Sequence, residues 1–204
     1  GYGEWTGEVF SAAHIAALID GVETRGGLDI CAGVLSGYLG DAALGAVVLD
    51  AVARVKARNP SALFCCDPVM GDVGRGFFVR EGIPEFFRDT ALPVADILVP
   101  NQFELAYLAD RPINTLEDAL QATAALRARG PNQVLVTSFE PKDSAPDEIA
   151  MLLDTADGAW QVNTPRLPLN PAPNGAGDCT AALYFAHMLR LGRAEAALEA
   201  AAAS

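Results

Sequence analysis

ALFCCDPVMGD, residues 62–72, decides the reading of the fold. The run Ala62 to Cys66 is apolar without interruption, too short for a helix, and breaks at Asp67-Pro68. A strand without polar alternation is one covered on both faces, which is the habit of parallel sheets. Upstream, Asp41 can cap a helix with Leu44, Val47, Val48, Ala51, Val52 and Val55 on one face. Arg54, Lys56 and Arg58 lie toward its C-terminus and Asn59-Pro60 stops it. The same alternation continues outward. Ser11 caps a helix through Ile15, Leu18, Ile19 and Val22, and Ile30 to Leu35 is an apolar run ending at Ser36-Gly37. Ile97 to Val99 is a strand ending at Pro100, Thr115 and Asp118 open a helix reaching Arg129, and Gln133 to Thr137 is the next strand. Ile149–Asp154 and Ala159–Asn163 flank Asp157-Gly158 as a hairpin. The Pro-rich loop Pro165 to Pro173 leads into Asn174-Gly175-Ala176-Gly177-Asp178 and a helix through Leu191. This predicts one α/β domain over residues 1–204, with a mainly parallel central sheet and helices on both faces.

The 14 Lys and Arg against 26 Asp and Glu give a net charge of −12, which repels a nucleic-acid backbone. Any anionic ligand must then be met by a metal ion, backbone N–H groups or helix N-termini. No stretch approaches the about 18 apolar residues of a membrane span. Cys31, Cys65, Cys66 and Cys179 form no C-x-x-C pair, so a reducing cytoplasm is the expected setting. The chain opens at Gly1 without methionine and closes in an Ala-rich run, so the domain is expected to be cut at both ends.

In an open parallel sheet, functional residues collect where strands end. The exits here are Ser36-Gly37-Tyr38-Leu39-Gly40, Asp67 to Asp72, Asn101 to Glu104, and Thr137-Ser138. Gly175-Ala176-Gly177-Asp178 opens a helix, where successive N–H groups and the helix dipole suit a phosphate. Asp178 is placed to take the proton of a hydroxyl attacking the terminal phosphoryl group of ATP. A lone G-x-G-D serves equally well as a loop and N-cap. A β-branched residue at Gly177 is expected to resist a positive φ there, whereas Ala176 contributes only backbone. There is no G-x-x-x-x-G-K-[ST], and the sixth position from Gly175 is Thr180, so P-loop and dinucleotide fingerprints are both excluded. Asp67, Asp72 and Glu104 suit Mg²⁺ held largely through water and nucleotide phosphates; each alone also fits a turn, a solvated carboxylate or first-turn helix charge. Tyr38 offers a ring face to a flat heteroaromatic substrate, or ordinary loop packing. His14, His187 and Cys179 read as plain helix residues.

GYGEWTG at the start, VLSGYLG, CDPVMGD, DILVPNQFELAYL and NGAGD, in this order and spacing, resemble the pyridoxal kinases of the ribokinase-like superfamily over essentially the whole chain. The resemblance implies a ribokinase-like fold that transfers the γ-phosphoryl group of MgATP to the 5′-hydroxyl of pyridoxal. It implies Asp178 as catalytic base and the backbone of Gly175, Ala176 and Gly177 as anion hole. Asp67, Val99, Glu104 and Thr137 match positions near ATP or its metal, and Thr164, Pro165, Arg166 and Leu167 the segment over adenine. Tyr38 matches a ring contact to the pyridine, and Gly1 follows a substrate-contacting threonine. Thr137 stands where some bacterial members have lysine, and Ala176 where Thr or Val is common. The family precedent also implies a homodimer, with a first strand before Gly1 and helices beyond Ser204. Hydroxymethylpyrimidine kinase is the nearest alternative, and a non-catalytic vitamer or nucleotide binder is the alternative of another class.

Overall fold

Alternate residues of the short central strands feed two different cores, and that division organises the chain. In the computed structural model, which describes residues 6–142, 144–169 and 174–204, the strands are β1 (Gly33–Ser36), β2 (Leu63–Cys66), β3 (Gly71–Asp72), β4 (Gly76–Phe77), β5 (Ile97–Leu98), β6 (Gln133–Phe139), β7 (Glu148–Thr155) and β8 (Gly158–Pro165). The helices are α1 (Ala12–Glu23), α2 (Ala43–Arg58), α3 (Ile83–Phe86), α4 (Gln102–Leu108), α5 (Leu116–Arg127), α6 (Ala176–Leu191) and α7 (Ala194–Ala202). The main sheet runs β1-β2-β5-β6-β7-β8, parallel from β1 to β6 and antiparallel thereafter. This is the expected mainly parallel α/β sheet.

Phe64, Cys66, Leu98, Val134 and Val136 pack with Val52 of α2, Leu105 and Leu108 of α4 and Leu126 of α5. Their chain neighbours Cys65, Ile97 and Leu135 turn the other way, onto Ala181, Tyr184 and Phe185 of α6 and Leu198 of α7. Period-2 alternation with both faces apolar is what a strand buried between two helix layers requires. Burial pushes the Cys65 and Cys66 thiols well above their ordinary range, so they serve as small apolar side chains.

Local signals act where they were expected. The Ser11 side chain accepts from His14 N–H at 3.2 Å, and Asp41 Oδ1 accepts from Ala43 N–H at 2.9 Å. Thr115 and Asp118 form a reciprocal capping box at the start of α5. The antiparallel β7–β8 hairpin forms around the expected segment, but its two turn residues are Ala156 and Asp157, and Gly158 opens β8 paired with Thr155. Elsewhere the structure corrects the pattern. Gly27–Ile30 is a 3₁₀ turn with Ile30 87% exposed, so β1 begins only at Gly33. Strand β6 does not stop at Thr137 but continues to Phe139 through a register shift. The alanine-rich segment after Gly192 forms α7, a helix not read from the sequence, in which Leu198 is the one large apolar side chain among alanines and two glutamates. Among the described residues, no helix is long and apolar enough to cross a membrane.

Helix α6 is pinned to the sheet through Gln133 of β6, whose amide N–H also donates to Met188 Sδ of α6 at 3.8 Å. The Tyr184 side chain is fully buried, and its hydroxyl donates to Gln133 Oε1 of β6 at 2.6 Å. Tyr184→Phe leaves that amide oxygen without its partner, and we expect it to lower unfolding stability by about 1 kcal/mol. Urea denaturation checks this; an unchanged midpoint would show that the contact does not hold the helix.

Candidate active site

The parallel strands place their exits at one edge of the sheet, where a cavity of about 440 Å³ opens between the exits of β2 and β6, the β3–β4 hairpin and the start of α6. Asp67, Asp72, Glu104, Thr137, Gly175, Ala176, Gly177 and Asp178 all line it. These expected residues, scattered over more than 100 positions in sequence, are thus brought together.

At the α6 end, Gly175 is the N-cap residue, with φ 84° and ψ 5° and no side-chain cap on the helix. The first-turn N–H groups are therefore left facing the cavity, a ready anion site. Asp178 sits in that first turn and is exposed; a side chain at Gly37, in the loop after β1, would lie 3.6 Å from its Oδ1. The left-handed conformation belongs to Gly175, not to Gly177 as expected. Gly177 is already in the helix, and a Cβ there meets nothing within 4 Å.

On the opposite wall the carboxylates are buried and crowded. Glu104 is 2% exposed; its Oε1 accepts from Met70 N–H at 2.9 Å and its Oε2 from Asn101 N–H at 2.8 Å. Asn101 completes the capping box by accepting from Glu104 N–H at 3.0 Å, and its amide donates to Gly71 O at 2.8 Å. Burial, with a smaller push from Asp72, raises the Glu104 carboxyl to about 7 even though backbone N–H groups pull it down. Asp67, 6% exposed, is pushed up to about 8 by burial first, then by the charges of Glu104 and Asp178. Among the described residues no positive charge offsets Asp67. Among the described residues no trio of His, Cys, Asp and Glu is close enough to enclose an ion. A divalent cation held through water and a ligand's phosphates fits this donor set, and its charge would relieve the crowding.

At the β6 exit, Thr137 N–H donates to Pro100 O at 2.9 Å, and Thr137 bridges in parallel to Asn101. The register shift leaves Ser138 at φ 48°, a left-handed conformation unusual for serine, on the cavity wall. Other expected residues do not line the cavity. Tyr38 is 59% exposed on the loop after β1. Val99 is buried in the core under α6, because β5 alternates and Val99 shares the face of Ile97. The Thr164 hydroxyl donates to Ile149 O at 3.2 Å, Pro165 ends β8, Arg166 pairs with Glu140, and Leu167 is 67% exposed. Gly1 and residues 170–173 of the Pro-rich loop lie outside the described residues. Arg75 and Phe78, from the β3–β4 hairpin, line the cavity without having been read from sequence.

Comparison with known proteins gives this arrangement a class: the family described as phosphomethylpyrimidine kinase matches residues 30–203. Pyridoxal kinase PdxY of Rubrobacter xylanophilus is 54% identical across 100% of the chain and 70% of its own length. Pyridoxal kinase PdxY of Deinococcus radiodurans is 51% identical across 97% of the chain and 68% of its length. The solved pyridoxal kinase of Leishmania donovani, in complex with ADP and pyridoxamine, superposes with a TM-score of 0.86 at 26% identity, covering 97% of this chain and 70% of that one. The chain belongs to the pyridoxal kinase family.

Two measurements test this geometry. Gly175→Ala forces an L side chain to positive φ and is expected to lower stability by roughly 1–2 kcal/mol, while Gly177→Ala, in an open helical position, does not lower it. Equal losses in thermal melting would contradict the assignment of the turn to Gly175. The second concerns pH. A carboxyl whose folded value is raised holds its proton more tightly in the folded state, so the stability it contributes is full at low pH and is lost as pH rises. For Asp67 that loss runs from its ordinary 3.8 to about 8. Melting temperature in metal-free buffer is expected to fall across this window, and Asp67→Asn to flatten the fall; an equally steep profile in the variant would show that Asp67 is not its source.

Proposed function

We propose that the protein transfers the γ-phosphoryl group of ATP to the 5′-hydroxyl of pyridoxal, giving pyridoxal 5′-phosphate and ADP. One observation carries this reading: a carboxylate, Asp178, and an uncapped set of N–H groups from Gly175 onward share the first turn of α6 on one cavity wall. Phosphoryl transfer needs a base for the attacking hydroxyl and fixed dipoles for the charge on the transferred group. Asp178 supplies the first; the α6 N-terminus supplies the second. The relatives at 54% and 51% identity, both pyridoxal kinases, support pyridoxal as the acceptor.

The remaining residues divide by wall. Asp67, Asp72 and Glu104 would hold Mg²⁺ through water, with Thr137 beside them. When bound, that ion neutralises phosphate charge next to a protein of net charge −12. Tyr38 is exposed and follows Gly37, where an added side chain would lie 3.6 Å from Asp178 Oδ1, so its ring is available to lie against the pyridine. Val99 contributes no side chain to the cavity, and any role it has is through its backbone. Thr164 to Leu167 remain the proposed adenine side. The free thiols Cys31, Cys65, Cys66 and Cys179 support a cytoplasmic setting.

Hydroxymethylpyrimidine is the second acceptor to compare, because the matched family is described as phosphomethylpyrimidine kinase. The test is ADP release with MgATP and each acceptor. Pyridoxal is expected to be turned over, and Asp178→Asn to lower kcat by roughly 10²-fold or more with little change in ATP affinity. Near-wild-type turnover in the variant would remove Asp178 from the chemistry, and a preference for hydroxymethylpyrimidine would replace the acceptor.

A further inference from the structure

The cavity is lined by Asp67, Asp72, Glu104 and Asp178, and among the described residues its lining sets one cationic side chain, Arg75, against these carboxylates. Arg75 stands at the tip of the β3–β4 hairpin, between Gly74 at φ 82° and Gly76 at φ 69°, and its N–H closes the turn onto Asp72 O at 3.2 Å. The hairpin is anchored at its base. Asn101 Nδ2 holds Gly71 O at 2.8 Å, Phe78 N–H donates to Met70 O at 3.1 Å, and the Phe77 ring packs edge-on against Phe103 and Tyr107 at 5.0 and 5.2 Å.

The guanidinium lies over the Phe78 ring, 5.1 Å from its centroid. Stacking occupies one flat face of the group and leaves its N–H edge available. Among the described residues no carboxylate forms an ion pair with it, although Asp72 is three positions away. An arginine oriented by an aromatic ring, unpaired, and aimed into a cavity rich in carboxylates is suited to an anion that enters from outside. A fork of N–H donors matches phosphate oxygens in particular.

We propose that Arg75 binds the nucleotide's β- and γ-phosphates, the part of the nucleotide that the α6 N-terminus faces from the other wall. This rests on the reading of the cavity as the site of an ATP-dependent kinase. Arg75 then supplies the side-chain cation that a protein of net charge −12, without a P-loop lysine, otherwise lacks at this place. The polyphosphate is held between a fixed backbone anion site and a guanidinium on a hairpin.

Isothermal titration of the full chain with Mg²⁺ and three nucleotides tests this without relying on the acceptor. R75A is expected to weaken the β,γ-imido analogue of ATP by about 10- to 100-fold, the size of a lost charge-assisted contact, and to leave AMP unchanged. ADP should fall between them, and R75K should recover part of the loss. In turnover, KM for ATP rises while KM for pyridoxal stays. Unchanged affinity for the imido analogue in both R75A and R75Q overturns the proposal, and so does an equal loss for AMP, which would mark Arg75 as hairpin packing. A wild-type protein that binds the imido analogue but does not phosphorylate pyridoxal would sink the proposed acceptor and leave Arg75 tested. A wild-type protein that binds none of the nucleotides overturns both.

Discussion

The buried carboxylate of Glu104 ties together the exits of two neighbouring parallel strands, β2 and β5. One oxygen takes the N–H of Met70, in the loop after β2, and the other takes the N–H of Asn101, after β5. A carboxylate withdrawn from water is tolerated only when such donors satisfy it, and leaving either N–H unpaired would add its own desolvation penalty. Because both donors are backbone, the contact fixes chain path rather than side-chain position. The base of the β3–β4 hairpin, the start of α4 and the depth of Asp67 all follow from it. The charge crowding on that wall is its price: three acidic groups stand where, among the described residues, no cation offsets Asp67.

Much of the fold was legible because it repeats a local rule. Apolar runs such as Ala62–Cys66 announce strands covered on both faces, and the structure sends Phe64 and Cys66 to one core and Cys65 to the other. Ser11, Thr115-Asp118 and Asp157-Gly158 act through contacts within a few residues, which sequence displays directly. What escaped has no period or depends on distant partners. The strands β3 and β4 have two residues each, too few for any alternation, and the short helix, π turn and 3₁₀ turn over residues 83–94 follow no single spacing. The shift in β6 at Ser138 is set by pairing with β7, which residues 133–139 alone do not encode.

The site shows the same division. Looking just past each strand found Asp67, Asp72, Glu104 and Thr137, because a parallel sheet delivers all its exits to one edge whatever the sequence distance. It did not find Arg75, whose place depends on the hairpin's anchorage to Asn101 and Phe103. Val99 shows the limit of carrying a role to a position: being beside the exit in sequence, it is turned inward by strand alternation. At Gly175 and Gly177 the composition was informative, but which glycine bears the turn was decided by where the helix begins.

Tyr184 lies six residues beyond Asp178 on the same helix, about 9 Å along its axis. Because its hydroxyl is held by Gln133, sliding the acid-bearing end of α6 would strain a contact less than two turns away. That wall acts as an anvil. The opposing hairpin is a two-residue ladder tipped by Gly74 and Gly76, with far less secondary structure to resist displacement. The tip at Gly74 to Gly76 is thus the less braced of the two walls, and the wall that carries Asp178 the more braced.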